Sequence, residues 1–321
     1  MKCVNCKNSN QISFKDKYLF EIEEDKKYFG DIKIYYCGNC SISFVYPIPE
    51  DKNLSYFYKK IYRAPGRPPF FFNGDYEELK LQSLDYRNLN YLLYLTTLIE
   101  INNIKKIYDF GAGNGDLGYL LKKKFPHLEL YCTESDQHCK KILKERGYTN
   151  FEDLSLINEK FDLIITLHSL EHLTDTSIFT KFLEILNKNG KIFFEVPNCT
   201  EEYFRLRIYD SPHLIFWNKK AFQKVAEKYN LKFINFSYAS YPFEYDQKFS
   251  LESKNIYLKN FKTKFPIFKI KKYLKKIIPK YLISLIRDLK KNKKESEDII
   301  NWFSNNTGNN CYIRGIFERS K

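Results

Sequence analysis

The heptapeptide Asp109-Phe-Gly-Ala-Gly-Asn-Gly115 constrains this chain most. Its glycines, Gly111, Gly113 and Gly115, stand on alternate positions, directly after a run carrying Ile104, Ile107 and Tyr108 and directly before Leu117, Leu120 and Leu121. An apolar run, a glycine-dense turn and apolar residues spaced by three and four predict a strand, a tight turn and a helix start. Glycine reaches positive φ at no steric cost and lets a ligand approach the backbone, while the amides that open the next helix face the same crevice. A dinucleotide fingerprint would place its third glycine three positions after the second. That position is Asp116, so the dinucleotide match fails and an acidic-start G-x-G-x-G remains. Taken alone it fits either a nucleoside site or an ordinary strand-to-helix corner.

The downstream spacing separates the two. "LELYCTESD" (128–136) reads as a second short strand ending at Glu134. That places a carboxylate about 20 residues past the glycines, where α/β nucleotide sites accept hydrogen bonds from ribose hydroxyls. A helix over Gln137 to Arg146 follows, then "TNFEDL" (149–154), an apolar strand "FDLIITL" (161–167), "HSLEHL" (168–173), another helix and "NGKIFFEVPN" (189–198). Alternating strands and helices predict a parallel sheet with right-handed crossovers. "LKFINFSY" (231–238) and "NNCYIRGIFERS" (309–320) read as two further strands.

This ordered set resembles the class I S-adenosylmethionine-dependent methyltransferases over roughly residues 75 to 240. The motifs are Asp109 to Gly115, Glu134, Asn150-Phe151-Glu152-Asp153, "FD" at 161–162, "LEHL" at 170–173 and "NG...VPN" at 189–198. The resemblance implies an α/β, Rossmann-like, seven-stranded sheet that ends in an antiparallel edge pair, with S-adenosyl-L-methionine as cofactor. It places Asp109, Gly111, Gly113 and Gly115 along the methionine moiety, Glu134 on the ribose, Asn150 and Phe151 beside the adenine, and His168 at the cofactor end of the crevice. Many relatives carry Asp where Asn150 stands, and an amide oxygen can still accept from the adenine amino group.

Eight cysteines bear on the N-terminal part. Cys3 and Cys6 form one C-x-x-C and Cys37 and Cys40 a second, while Cys132, Cys139, Cys199 and Cys311 lack ligand spacing. Paired knuckles in a chain without a secretion signal read as four thiolates on a tetrahedral structural Zn2+ rather than as disulfides. Four protein ligands leave no open position, so the metal is expected to fold the module and not to catalyse. With this ribbon added, the chain looks like the methyltransferase subgroup with an N-terminal zinc-binding domain. That subgroup includes sugar C-methyltransferases of deoxysugar pathways and enzymes of surface-polysaccharide clusters, which implies a sugar acceptor.

Methyl transfer from a sulfonium is an in-line displacement that needs alignment, exclusion of water and often removal of an acceptor proton. Candidate bases come from loops at the carboxyl ends of the strands. His168 and His172 flank Glu171, and His213 follows the fifth strand in "YDSPHLIFWN". In the sugar C-methyltransferases a Y-H-E-H stretch carries the presumed base at the place of Tyr209 to His213. This chain keeps the tyrosine and the final histidine, displaced by one residue, and lacks the glutamate. The resemblance therefore favours hydroxyl over carbon methylation, with His213 as base and His172 second. A structural role, capping the next helix or closing the cofactor pocket, competes for His172.

The expected organisation is a zinc ribbon at 1–45, a linker or lid at 46–77, the cofactor-binding domain at 78–241 and 309–321, and an inserted basic segment at 242–308. From Asn260 to Lys294 thirteen Lys or Arg face one acid, Asp288, and the apolar positions from Tyr273 recur at three and four around Pro279. Two basic amphipathic helices fit either an anionic membrane surface or a cap on the catalytic domain. The Pro- and Gly-punctuated stretch "APGRPPFFFNGD" fits a lid over the site or a plain linker. No apolar run is long enough for a signal peptide or a bilayer span, so the protein is expected in the cytoplasm, peripheral at the inner membrane face if the basic segment binds lipid. The acceptor is expected to be a small-molecule or lipid-linked sugar, and no specific nucleic acid is expected. Two other classes stay open: a base methyltransferase of rRNA, some of which also begin with a zinc module, and a binding scaffold without chemistry.

Overall fold

The computed structural model describes residues 1–64, 67, 86–239 and 311–320. The basic segment at 242–308, including 260–294, and most of the aromatic linker at 63–77 lie outside the described residues.

Three short strands, β1 (Ile12–Lys17), β2 (Lys33–Cys37) and β3 (Ile42–Tyr46), pair antiparallel in sequence order. The first cysteine knuckle, Cys3 and Cys6, precedes β1, and the second, Cys37 and Cys40, lies where β2 turns into β3. Between them runs a short helix α1 (Lys26–Phe29), and after them comes α2 (Asp51–Tyr56), which continues as a wider π-type turn to Ile61. The fourth strand of this small sheet comes from far along the chain. β9 (Ile215–Phe216) pairs antiparallel with β3, Ser43 opposite Phe216 and Phe44 opposite Ile215.

The large sheet is built as the alternating pattern predicts. After α3 (Tyr86–Leu98) come β4 (Lys106–Phe110), α4 (Asp116–Lys124), β5 (Glu129–Thr133), α5 (Gln137–Glu145), β6 (Tyr148–Phe151), β7 (Phe161–Leu167), α6 (Ile178–Ile185) and β8 (Leu186–Pro197). A helical turn α7 (Glu201–Leu206) and α8 (Lys219–Lys228) flank β9, and β10 (Leu231–Ala239) and β11 (Tyr312–Arg319) finish the chain. The strand order is β10-β11-β8-β7-β4-β5-β6. All pairs from β8 to β6 are parallel, and β11 runs antiparallel between β8 and β10. This is the Rossmann-like seven-stranded α/β sheet with an antiparallel edge pair.

Local chemistry explains the element boundaries. Strand residues such as Ile107, Leu163, Ile164, Ile165, Phe193 and Phe194 are fully buried, which continuous apolar runs in a sheet covered on both faces require. Asp136 caps α5, its carboxylate accepting from the backbone N–H of His138 and Cys139 at 2.9 Å each. Asn218 caps α8 through Ala221 N–H at 2.9 Å. One apolar cluster joins the ribbon to the large sheet: Val4, Ile42 and Phe44 share it with Phe179, Trp217 and Phe222.

Gly115 illustrates a division of labour within the glycine turn. It sits at φ +68°, and a Cβ there would lie 2.5 Å from Leu143 Cδ2 and 2.7 Å from Tyr148 Cε2. It lets α4 pack closely on its neighbours, so its role is steric. Gly115→Ala should destabilise the fold by about 2–4 kcal/mol, the combined cost of a left-handed backbone and an overpacked contact. Urea denaturation of the pure variant checks this, and a loss below about 1 kcal/mol would contradict the packing.

Candidate active site and cysteine cluster

The loops at the carboxyl ends of β4, β5 and β7 open onto one cavity of about 860 Å³, lined among others by Asp109, Gly111, Gly113, Glu134, His168, Glu171, His172 and His213. That volume suits a medium-sized organic ligand. The ends of parallel strands leave backbone groups unsatisfied there, which is why open α/β sheets bind ligands at this edge.

At the cofactor end, Gly113 has φ +55° and its N–H donates to Glu134 Oε2 at 2.7 Å. Oε1 of Glu134 accepts from Ser135 and Asp136 N–H at 2.7 and 2.8 Å. A carboxylate offers about four acceptor sites, so three backbone donors fix its orientation and leave one facing the cavity. Arg63 reaches over the same turn, and a Cβ on Gly113 would lie 3.1 Å from its Nη2. Asp109 is buried, 3.5 Å from the Tyr148 hydroxyl. Burial, with Asp116 and Glu134 adding, pushes its carboxyl up to about 8.

Two expected cofactor contacts and one glycine are placed elsewhere. Asn150, Phe151 and Gly115 are not among the residues lining the cavity. Asn150 stands behind Glu134, its Oδ1 accepting from Glu134 N–H at 2.9 Å, and Phe151 stacks on Tyr131 at 6.0 Å. Asn150 therefore acts on Glu134 through its backbone N–H, because the β5–β6 register sets Cys132 opposite Asn150 and turns its amide toward β5. Glu152, Ser135 and Asp136 occupy the cavity wall instead.

The other end holds a chain of buried ionisable groups. Tyr91 donates to Glu195 Oε1 at 2.6 Å, His168 Nε2 stands 3.2 Å from the same oxygen, and His168 Nδ1 stands 3.4 Å from Glu171 Oε1. Burial disfavours the His168 charge, but Glu171 and Glu195 outweigh it and raise its pKa. Burial likewise opposes the charges of Glu171 and Glu195, and the neighbouring His168 holds both carboxyls below the usual range. His168 itself lies at φ +52°, its N–H bonded to Glu195 O at 2.9 Å. Glu195 and Tyr91 escaped the sequence reading. An acid inside the apolar run "KIFFEVP" was the available signal, since a charge is buried there only with partners.

His172 and His213 meet across the loops, ring centroids 5.3 Å apart. His172 Nδ1 lies 3.1 Å from the Tyr58 hydroxyl and 3.4 Å from Pro212 O. Burial lowers the pKa of both histidines, that of His213 to about 3 with His172 adding to the effect. A nitrogen with so little affinity for a proton is a weak general base at neutral pH, yet it keeps a lone pair. The loop bearing His213 is anchored to the ribbon. Asp210 accepts from Leu19 N–H at 2.7 Å, Ser211 Oγ from Glu21 N–H at 3.0 Å, and Leu214 N–H donates to Glu171 O at 2.7 Å.

The Sγ atoms of Cys3, Cys6, Cys37 and Cys40 all lie within 4.8 Å of one another, and Cys6 and Cys37 are 3.9 Å apart. Zn–S bonds of about 2.3 Å put neighbouring sulfurs of a tetrahedron about 3.8 Å apart, so the four thiols fit the ion. Asn5 supports the cluster, donating from its backbone N–H to Cys3 and from Nδ2 to Cys40, each at 3.4 Å. Its Oδ1 accepts from Thr176 Oγ1 at 2.9 Å, which ties the cluster to the large domain.

Residues 84–235 match the model of a family described as a methyltransferase domain. A curated relative from Anoxybacillus flavithermus, described as an uncharacterized methyltransferase, is 30% identical over 120 residues, 34% of this chain and 55% of its own length. The chain thus covers about half the length of that relative. Among solved structures, the O-methyltransferase from a trans-AT PKS multienzyme of Brevibacillus brevis, in complex with S-adenosyl-L-homocysteine, has a TM-score of 0.42 at 11% identity, over 73% of this chain and 72% of its own. The plantazolicin methyltransferase BpumL with the same ligand reaches 0.47 at 12%, over 84% and 94%.

The Asp109 carboxyl gives the site a pH signature. An unfolded Asp titrates near 3.9, so between about pH 4 and pH 8 the native state holds a proton that the unfolded chain has released. Its contribution to stability is complete below about pH 4 and falls as pH rises toward 8. Asp109→Asn should flatten that fall. Urea unfolding at pH 5 and pH 7.5 measures it, and identical pH dependence in both proteins would exclude a raised pKa.

Proposed function

We propose that this domain transfers a methyl group from S-adenosyl-L-methionine to a hydroxyl of a sugar in surface-glycan or nucleotide-sugar biosynthesis. One observation carries the reading: the glycine turn with its oriented Glu134 and the Glu171, His172, His213 cluster line the same cavity. A cofactor end and a reacting end are thereby within one enclosure, as in-line transfer requires. The buried, histidine-rich reacting end argues against a scaffold that has lost its chemistry. The cysteine-bearing ribbon, joined through β9 to the loop that carries His213, supports the sugar-methylating subgroup.

The chain's residues divide the work. Gly111 and Gly113 admit a ligand close to the backbone, Glu134 holds the ribose hydroxyls, and Arg63 pairs with a carboxylate on the methionine end. The cofactor supplies an electrophilic methyl on a positively charged sulfur. Tyr58 and Tyr62 wall the cavity beside His172 and keep water from the reacting end. His172 and His213 stand at the acceptor end of the cavity and set where its hydroxyl sits. Zn2+ held by Cys3, Cys6, Cys37 and Cys40 fixes the ribbon and, through it, the 210–216 loop.

Calorimetry with S-adenosylmethionine tests the cofactor end. Wild type should bind, and Glu134→Ala should weaken binding by about 10- to 100-fold, the worth of hydrogen bonds to a charged acceptor. Equal affinity in both would contradict the site. His213→Ala should keep cofactor affinity and lose about 100-fold in methyl transfer to a sugar acceptor, followed with a labelled methyl group. Full turnover would remove His213 from the reacting end. Elemental analysis should find one zinc per chain, absent from Cys37→Ser, and its presence there would place the metal elsewhere.

A further inference from the structure

Glu171, His172 and His213 bring one ligand-type atom each to within 4.8 Å of the others. Two features go beyond proximity. Glu171 is 2% exposed, and among the described residues neither of its oxygens accepts a hydrogen bond; the ion-pair contact with His168 Nδ1 is 3.4 Å long. His213 Nδ1 is buried and has no hydrogen-bond partner among the described residues either. An unsatisfied buried polar group is destabilising, and here a carboxylate and an imidazole nitrogen bear that cost in one cluster. Something with affinity for both satisfies them together.

The third member is oriented as metal-binding imidazoles are. His172 Nδ1 lies 3.1 Å from the Tyr58 hydroxyl, which itself donates to Pro212 O, and 3.4 Å from Pro212 O; a proton on Nδ1, shared with these two oxygens, leaves the lone pair on Nε2. An outer hydrogen bond of this kind fixes the tautomer of a ligating histidine. The Leu214 N–H to Glu171 O bond, 2.7 Å, ties the segment bearing His213 to that bearing Glu171 and His172, so the set is assembled without a ligand.

We propose that Glu171, His172 and His213 bind a divalent first-row transition-metal ion at the reacting end of the cavity. Two imidazoles and a carboxylate suit such ions, and they leave one open position in a tetrahedral shell and three in an octahedral one. The site differs in kind from the four-cysteine cluster, whose shell is closed by sulfur. Resting on the transfer reading above, the open positions take two adjacent oxygens of the acceptor, which selects a vicinal diol. Metal coordination would acidify one hydroxyl, whose proton is lost to bulk solvent as the acceptor binds, before the site is dry. The resulting alkoxide takes the methyl as the carbon–sulfur bond breaks, giving a methyl ether and the neutral thioether.

The full chain with its cysteine cluster zinc-loaded is titrated with manganese(II) chloride, and free Mn(II) is read by electron paramagnetic resonance. We expect saturable binding of one Mn(II) per chain, weakened at least about 10-fold in Glu171→Gln and in His213→Gln. Circular dichroism and cofactor calorimetry confirm that each variant is folded; should Glu171→Gln fail to fold, His213→Gln decides. Absence of saturable binding, or undiminished binding in the folded variants, overturns the metal site. Wild type that binds S-adenosylmethionine but no Mn(II) sinks the metal alone, and the converse sinks the transfer reading alone.

Discussion

The segment from Asp210 to Phe216 holds the molecule together as a working unit. On one side Asp210 and Ser211 take backbone N–H groups of the ribbon, and Val45 N–H donates to Leu214 O at 3.0 Å. On the other, Leu214 N–H donates to the carbonyl of Glu171. Backbone hydrogen bonds made inside a water-poor interface are expensive to leave unmade, so this strip has little freedom to move independently of either sheet. Arg207 reinforces it, its guanidinium bonded to Asp210 at 2.6 Å and to Lys17 O at 3.0 Å. The ribbon thereby acts as a brace for the loop that carries His213.

Buried charge organises the floor beneath it. Glu195, His168 and Glu171 alternate in sign, and Arg314, fully buried, stacks its guanidinium 4.3 Å from the Tyr94 ring and lowers the Glu195 pKa. Burial disfavours a single charge at such depth, and neighbours of opposite sign offset that penalty for each of the three. The consequence is geometric. Glu171 keeps its charge at the edge of the cavity, beside two histidines that stay neutral, and a cation or a polarised hydroxyl is the group such an arrangement attracts.

Much of this was legible from residue order. The G-x-G-x-G turn, Glu134 and the strands at 161–167 and 231–238 stand where the apolar periodicity places them, because a buried parallel strand needs a continuous apolar run and a tight turn needs positive φ. The four-cysteine cluster was legible for the same local reason, since knuckle spacing is a property of a few consecutive residues. Asn150 marks the limit. The direction of its side chain depends on which residue of β5 it faces, and no single segment carries that register.

The sequence by itself determined the alternating strand–helix order, the glycine turn with its carboxylate and the paired knuckles, because each follows from residues within one or two turns of chain. The tertiary structure alone decided that Ile215 and Phe216 complete the ribbon's sheet, that Glu195 reaches His168, and that His213 arrives beside Glu171 and His172. Those meetings are set by strand register and by burial of unlike elements against each other. Such long-range contacts gain their free energy only when the whole core closes, and no local pattern encodes them.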